Sequence, residues 1–125
     1  MKATEIITKD AEKNGLNPEK VLTAMAELMK KGRSILLTQG QSVLFLVMLD
    51  ESAYETHLFS VDTPLKLSQS MLKFFEDIKR LQGINKIYGD ADNPQIINLL
   101  KSLAKRENTT VQTPDRSGYN WMISL

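Results

Sequence analysis

The chain has 125 residues, of which 42% are hydrophobic and 25% charged, which is typical of a globular protein and excludes a disordered one. It carries 16 basic and 15 acidic residues, so the basic excess of a dedicated nucleic-acid-binding protein is missing. The absence of cysteine excludes disulfides, thiolate metal sites and cysteine nucleophiles.

No segment of the sequence predicts export or membrane insertion. Residues 1–13 are charged throughout and lack the apolar stretch of a secretory signal. The longest apolar run, at 43–49, is too short to cross a bilayer. Because residues 1–125 also contain no linker and no low-complexity tract, we expect one soluble, cytoplasmic domain without a membrane partner.

Two helices are predicted before the first strand. The first is a weakly amphipathic helix over residues 2–14 that ends at Gly15, and we expect this N-terminal helix, residues 1–15, to be peripheral to the domain. The second begins with Asn17 as N-cap and Pro18 as its first residue, and it ends at Gly32.

Three strands are predicted next, at 34–39, 42–49 and 54–61. Gly40 and Gln41 between the first two indicate a hairpin. The second strand shows no alternation of apolar and polar residues, so we expect it to be central and buried on both faces. The three strands together are predicted to form an antiparallel meander.

The second half begins with a long helix and ends with a hairpin. The helix is predicted from Pro64, after Thr63 as N-cap, to Gly83. A strand at 84–89 then leads to another helix that Asn93 caps and Pro94 opens.

Two closing strands are predicted at 109–113 and 119–125, around a turn at 114–118. In the last strand an apolar set alternates strictly with a second set, which predicts one buried and one exposed face. The buried set is Tyr119, Trp121, Ile123 and Leu125, and the exposed set is Asn120, Met122 and Ser124. The predicted order is α-α-β-β-β-α-β-α-β-β, an α+β fold with four helices flanking a mixed, mostly antiparallel sheet of about six strands.

This order of elements, with IYGDADNPQIINLLKSLAKRENTTVQ at 87–112, resembles the GNAT acetyltransferase superfamily. The resemblance covers most of the chain from Val21 onward, although the family's usual first strand is missing or replaced by the N-terminal helix. It implies a GNAT-like, three-layer fold.

The resemblance also implies a place for the coenzyme A pyrophosphate, at the start of the helix that follows Thr63. Active members carry a Gln/Arg-x-x-Gly-x-Gly/Ala run there, because backbone N–H groups must approach the phosphates closely. Here Leu67, Gln69 and Met71 stand where the family has small residues, so we expect no bound cofactor. If coenzyme A does bind, the residues implied are Lys66, Ser68 and Asn93.

Catalytic residues of active members are matched only in part. Asn93 stands where the family contacts the pantetheine arm, although helix capping also explains it. The family's tyrosine acid falls near Leu100, which cannot donate a proton. The remaining candidates, if the protein is an enzyme, are His57 with Glu55 on one strand face and Tyr88. A partly exposed structural His–Glu pair is the alternative.

No metal site is predicted. Asp90 and Asp92 lie just before a helix N-terminus, where carboxylates complement the helix dipole, and no second cluster of ligands accompanies them.

Small GNAT-like proteins of short-tailed bacteriophages share the missing loop glycines and the short C-terminal hairpin. This resemblance implies a catalytically degenerate GNAT-fold binding or assembly module, in the host cytoplasm or the virion, with phage virion or host proteins as partners. Aromatic residues are favoured at interfaces, so Tyr119 and Trp121 are the predicted interaction residues unless they pack under the helices.

Two other functions stay open. The first alternative is an active acetyl-CoA-dependent N-acyltransferase with a divergent phosphate loop. The second is a plain α+β regulatory domain. The sequence leaves homo-oligomerisation undecided.

Overall fold

The computed structural model describes all 125 residues and contains four helices and six strands. In chain order these elements are α1 (Ala3–Lys13), α2 (Pro18–Lys30), β1 (Ser34–Gln39), β2 (Ser42–Met48), β3 (Ala53–Ser60), α3 (Pro64–Arg80), β4 (Lys86–Gly89), α4 (Pro94–Arg106), β5 (Val111–Gln112) and β6 (Trp121–Ser124). The strands form one mixed sheet in the order β1-β2-β3-β4-β6-β5. The predicted fold class and order of elements are therefore confirmed.

Asparagine–proline pairs start two of the helices, as predicted. The Asn17 side chain accepts a hydrogen bond from the Glu19 N–H at 3.0 Å, and the Asn93 side chain accepts one from the Gln95 N–H at 2.8 Å. In each case the proline occupies the first turn, where its missing N–H would have had no partner inside the helix. None of the four helices is long and apolar enough to cross a membrane.

Backbone contacts divide the chain into two compact units. Unit 1 comprises Met1–Val47 and His57–Phe74, and unit 2 comprises Met48–Thr56 and Phe75–Leu125. Both β3 and α3 contribute residues to each unit. The expectation of a single domain stays a prediction.

The core of unit 1 lies between the two N-terminal helices and β2. The β1–β2 hairpin pairs from Ser34↔Val47 to Gln39↔Ser42, and β2 is buried along nearly its whole length, as predicted. Ile6 and Ile7 of α1 are 1% and 2% exposed and pack into the same cluster as Phe45. The expectation that α1 is peripheral is therefore wrong, because its apolar stripe supplies part of the core.

Unit 2 is built around β4, which has strands on both sides. β4 pairs in parallel with β3 from Ala53↔Lys86 to Glu55↔Tyr88, and antiparallel with β6 from Lys86↔Ser124 to Gly89↔Trp121. The two-residue β5 extends the sheet beyond β6.

The predicted alternation in the last strand is wrong at two positions. Met122, predicted exposed, is 6% exposed, because it packs with Ala53 and Tyr88 in a small cluster. Leu125, predicted buried, is 40% exposed at the end of the chain. The strand itself begins only at Trp121, so both of its faces are covered over a short length.

Candidate functional site

Asp62, between β3 and α3 in unit 1, is the centre of a partly buried hydrogen-bond network. Its carboxylate accepts hydrogen bonds from the Gln41 N–H at 3.2 Å, the Ser42 hydroxyl at 2.6 Å and the Ser70 hydroxyl at 3.2 Å. Ser42 is fully buried and Ser70 is 5% exposed. We call these four residues the Asp62 junction. It ties the start of α3 to the β1–β2 hairpin.

The first turn of α3 presents side chains where the family's phosphate loop presents bare backbone. Pro64 has no N–H to donate, and the Leu67 N–H is already bonded to the Thr63 carbonyl at 2.8 Å. The Leu65 side chain is 71% exposed. A phosphate approaching this turn would meet an apolar side chain and a nearby carboxylate.

The residues implied for coenzyme A do not come together in one unit. Lys66 is exposed on α3, and the Ser68 hydroxyl donates to the Leu65 carbonyl at 2.8 Å inside the same helix. Both belong to unit 1, whereas Asn93 belongs to unit 2 and caps α4. Leu100, at the family's acid position, is buried at 5% exposure.

Unit 2 holds a second polar network, on β3, β4 and the connection between β5 and β6. The Tyr119 hydroxyl donates to Glu55 at 2.6 Å, and the Tyr88 hydroxyl donates to Asp115. The two rings lie 5.2 Å apart between centroids at an interplanar angle of 43°. Lys86 Nζ pairs with Asp115 at 3.0 Å. We call the β5–β6 segment 113–118 the strap. The strap cluster consists of Asp50, Glu55, Lys86, Tyr88, Asp115, Arg116 and Tyr119.

Arg116 completes the strap cluster with a cation. Its guanidinium pairs with Asp50 and lies 5.4 Å from the centroid of the Tyr88 ring, a cation–π contact. Asp50 also accepts hydrogen bonds through its other oxygen from the Ser52 N–H at 2.9 Å and the Ala53 N–H at 3.0 Å. The Ser52 N–H, followed by Arg116, holds the pKa of Asp50 below its usual value.

Two further pKa values in the cluster are shifted by their partners. The Tyr88 hydroxyl, followed by Lys86, lowers the pKa of Asp115. Burial, followed by the hydrogen bond to Glu55, raises the pKa of Tyr119 to about 12. Tyr119 therefore holds its proton more tightly than an ordinary tyrosine and acts as a hydrogen-bond donor at neutral pH.

The parallel pairing of β3 with β4 is short. It ends at Glu55↔Tyr88, although β3 itself continues to Ser60. The Thr56 hydroxyl then donates to the Tyr88 carbonyl at 3.0 Å, so a side chain takes up that acceptor.

Of the predicted catalytic set, Glu55 and Tyr88 belong to unit 2 and His57 belongs to unit 1. Glu55 and Tyr88 are register partners in unit 2, with Tyr119 bonded to Glu55. His57 is half-buried in β3 and belongs to unit 1. The sequence predicts only a turn at 114–118, and no local pattern indicates that Asp115 and Arg116 have partners elsewhere in the chain.

Trp121 is buried at 5% exposure, so it does not offer the open aromatic surface that an interaction residue needs. Its ring lies against Gly89, where an added Cβ would come within 2.1 Å of an indole carbon. Its Nε1 has no hydrogen-bond acceptor. Tyr119, the other predicted interaction residue, is half-buried.

Asp90 and Asp92, the acidic pair for which no metal site is predicted, are exposed. The Asp90 carbonyl accepts a hydrogen bond from the Asn120 side chain at 2.6 Å. No group of three or more histidine or carboxylate side chains is placed to hold a metal ion.

Comparison with known proteins shows similarity at the level of structure. No family model matches the chain, and no curated protein matches its sequence. A chimera of the Vibrio cholerae spermidine N-acetyltransferase SpeG and hSSAT superposes with a TM-score of 0.53 and 8% identity, over 86% of this chain and 74% of that one. Campylobacter jejuni N-acetyltransferase PseH, in complex with acetyl coenzyme A, superposes with a TM-score of 0.53 and 16% identity, over 100% of this chain and 92% of that one. At these identities the likeness concerns the fold alone: the chain has a GNAT-like fold.

Proposed function

We propose that this GNAT-fold protein is a binding module that recognises a protein partner and performs no acetyl transfer. The observation that carries the proposal is the Asp62 junction. A carboxylate that already accepts three hydrogen bonds lies two residues before α3, at whose start the family resemblance puts the coenzyme A pyrophosphate.

The negative charge of Asp62 disfavours a phosphate at the start of α3. Two like unit charges about 4 Å apart repel by about 4 kcal/mol at the effective dielectric of a protein surface. Asp62 cannot turn away at low cost, because the buried Ser70 hydroxyl would lose its acceptor. The helix N-terminus favours an anion, but here the chain supplies a carboxylate of its own close by.

The binding surface in this proposal is the strap cluster, which contains Tyr119. It combines the half-buried ring of Tyr119 with charged groups of both signs, a composition found at protein interfaces. The resemblance to the small assembly proteins of short-tailed bacteriophages makes a virion or host protein the proposed partner.

Thermal unfolding with acetyl-CoA tests the proposal. A ligand of the folded state at a hundredfold excess over its Kd adds about 2.7 kcal/mol of stability, so a binder shows a clear rise in Tm. We expect no rise at millimolar acetyl-CoA. A rise that Lys66→Ala abolishes would overturn the proposal, because Lys66 is the cation at the start of α3. The matched control is Lys73→Ala, an exposed lysine further along α3.

The second candidate is an acetyl-CoA-dependent N-acyltransferase. Two observations favour it: the β3–β4 pairing ends after three residue pairs, and PseH, of similar fold, is in complex with acetyl coenzyme A. In this function Glu55 would take a proton from an amine acceptor. Acetyl-CoA-dependent acetylation of an amine that Glu55→Gln abolishes, with acetyl-CoA binding unchanged, would establish it.

A further inference from the structure

The strap, residues 113–118 in the connection between β5 and β6, is tied to the sheet by two charged side chains. Asp115 accepts hydrogen bonds from Lys86 Nζ and the Tyr88 hydroxyl, and Arg116 pairs with Asp50. No residue of the strap is buried.

Two of the three bonds that hold the strap are ion pairs between exposed side chains, and the third is the hydrogen bond from the Tyr88 hydroxyl to Asp115. The side chains of Asp115 and Lys86 are 50% and 41% exposed, and those of Asp50 and Arg116 are 46% and 37% exposed. Ion pairs in water contribute little and are screened by salt. A segment without buried apolar contacts opens at the low end of the range of local stabilities.

The groups beneath the strap are fixed, in contrast. Tyr88 is 1% exposed and belongs to the cluster of Ala53 and Met122. The Asp50 carboxylate is held by the Ser52 and Ala53 N–H groups through the oxygen that Arg116 does not use. The carboxylate and the ring therefore stay in place when the arginine leaves.

We propose that the strap is an autoinhibitory contact, in which Arg116 occupies a guanidinium-binding seat formed by Asp50 and the Tyr88 ring. A partner that presents an arginine displaces Arg116, opens the strap and docks on the strap cluster. Arginine is the expected group because its planar guanidinium pairs with a carboxylate and stacks on a ring at the same time. This inference rests on the proposed binding function and names the chemistry of its partner.

Hydrogen exchange tests whether the strap opens. In Asp115→Asn/Arg116→Ala, the amides of residues 113 and 115–118 should exchange faster than in the parent, and molar NaCl should accelerate them in the parent. The matched control is Ser117→Ala, in the strap but outside these pairs. Unchanged exchange in the double variant, at equal Tm, would overturn the proposal that these side chains hold the strap closed.

Fluorescence anisotropy with a labelled hexa-arginine peptide tests the seat. Arg116→Ala should bind this peptide about fivefold more tightly than the parent, and adding Asp50→Ala should remove the gain. Equal affinity of Arg116→Ala and parent would overturn the arginine assignment. A hexa-lysine peptide that gains as much would also overturn it, since charge alone would then suffice. Acetyl-CoA binding would instead overturn the proposed function. The hydrogen-exchange and anisotropy results could still be interpreted independently of it.

Discussion

The Asp62 junction and the strap cluster both use carboxylates to join segments distant in sequence, but they differ in the donors and in burial. Asp62 is bonded by uncharged donors, two of them on buried serines. Asp50 and Asp115 pair with cations that water reaches, and only Asp115 also accepts a hydrogen bond from the side chain of a buried residue, the hydroxyl of Tyr88. A buried donor that loses its acceptor cannot turn to water, whereas an exposed ion pair exchanges one solvated state for another. The Asp62 junction therefore closes the site at the start of α3, whereas the Arg116–Asp50 pair of the strap cluster can open.

The largest effect is expected from the rigid sheet beneath the strap. Gly89→Ala puts a Cβ 2.1 Å from the buried Trp121 ring, so the indole or the strand has to move. Overpacking of this kind costs about 3 kcal/mol, measured as the free energy of unfolding in urea.

A double-mutant cycle isolates that contact. In a Trp121→Leu background the smaller side chain leaves room for the Cβ, so the additional cost of Gly89→Ala should fall well below its cost in the parent. An equal cost in both backgrounds would show that the indole is not the cause.

A smaller loss is expected at the Asp62 junction. Asp62→Ala leaves the buried Ser70 hydroxyl and the half-buried Gln41 N–H without this acceptor, and a buried donor so stranded costs about 1–3 kcal/mol. We expect a total of about 2 kcal/mol by urea unfolding, with little dependence on salt. Asp92→Ala, an exposed aspartate, is the control, and equal stability of the two variants would contradict the partly buried network.

The smallest effect concerns protonation within the strap cluster. The pKa of Tyr119 is about 12 in the folded state against 10.0 in an ordinary tyrosine, so protonated Tyr119 contributes its full stability below pH 10 and this contribution is lost as the pH rises through 12. The absorbance at 295 nm, taken as the difference between parent and Tyr119→Phe, should show this midpoint.

Glu55→Gln sharpens the same measurement. It should lower the pKa of Tyr119 only in part, because burial is the larger cause and stays. A parent midpoint at 10.0 would contradict the described environment of Tyr119.

Local signals in the sequence were sufficient to predict the elements. Asn17 and Asn93 each precede a proline and cap a helix, and the uninterrupted apolar run of β2 is buried as expected. Alternation failed for Met122, because the burial of a short strand depends on which distant side chains cover it, here Ala53 and Tyr88.

The two networks could not be predicted in the same way. Asp62 meets Gln41 and Ser42 across about twenty positions, and Arg116 meets Asp50 across 66. Hydrophobic periodicity in a single sequence reports local structure and does not indicate which distant residues meet. The aspartate before Thr63 and the Asp-Arg pair in the 114–118 turn were visible as residues, but their partners depend on the folded sheet.

The most direct test of the central claim is a ¹H–¹⁵N NMR titration of the full chain with acetyl-CoA, observing the Leu65 and Lys66 amides at the start of α3 and the Gln41 amide bonded to Asp62. If the Asp62 carboxylate closes this site, these three amides keep their chemical shifts up to millimolar ligand. Saturable shifts at Leu65 and Lys66 would contradict the account and establish a pyrophosphate site in spite of the aspartate.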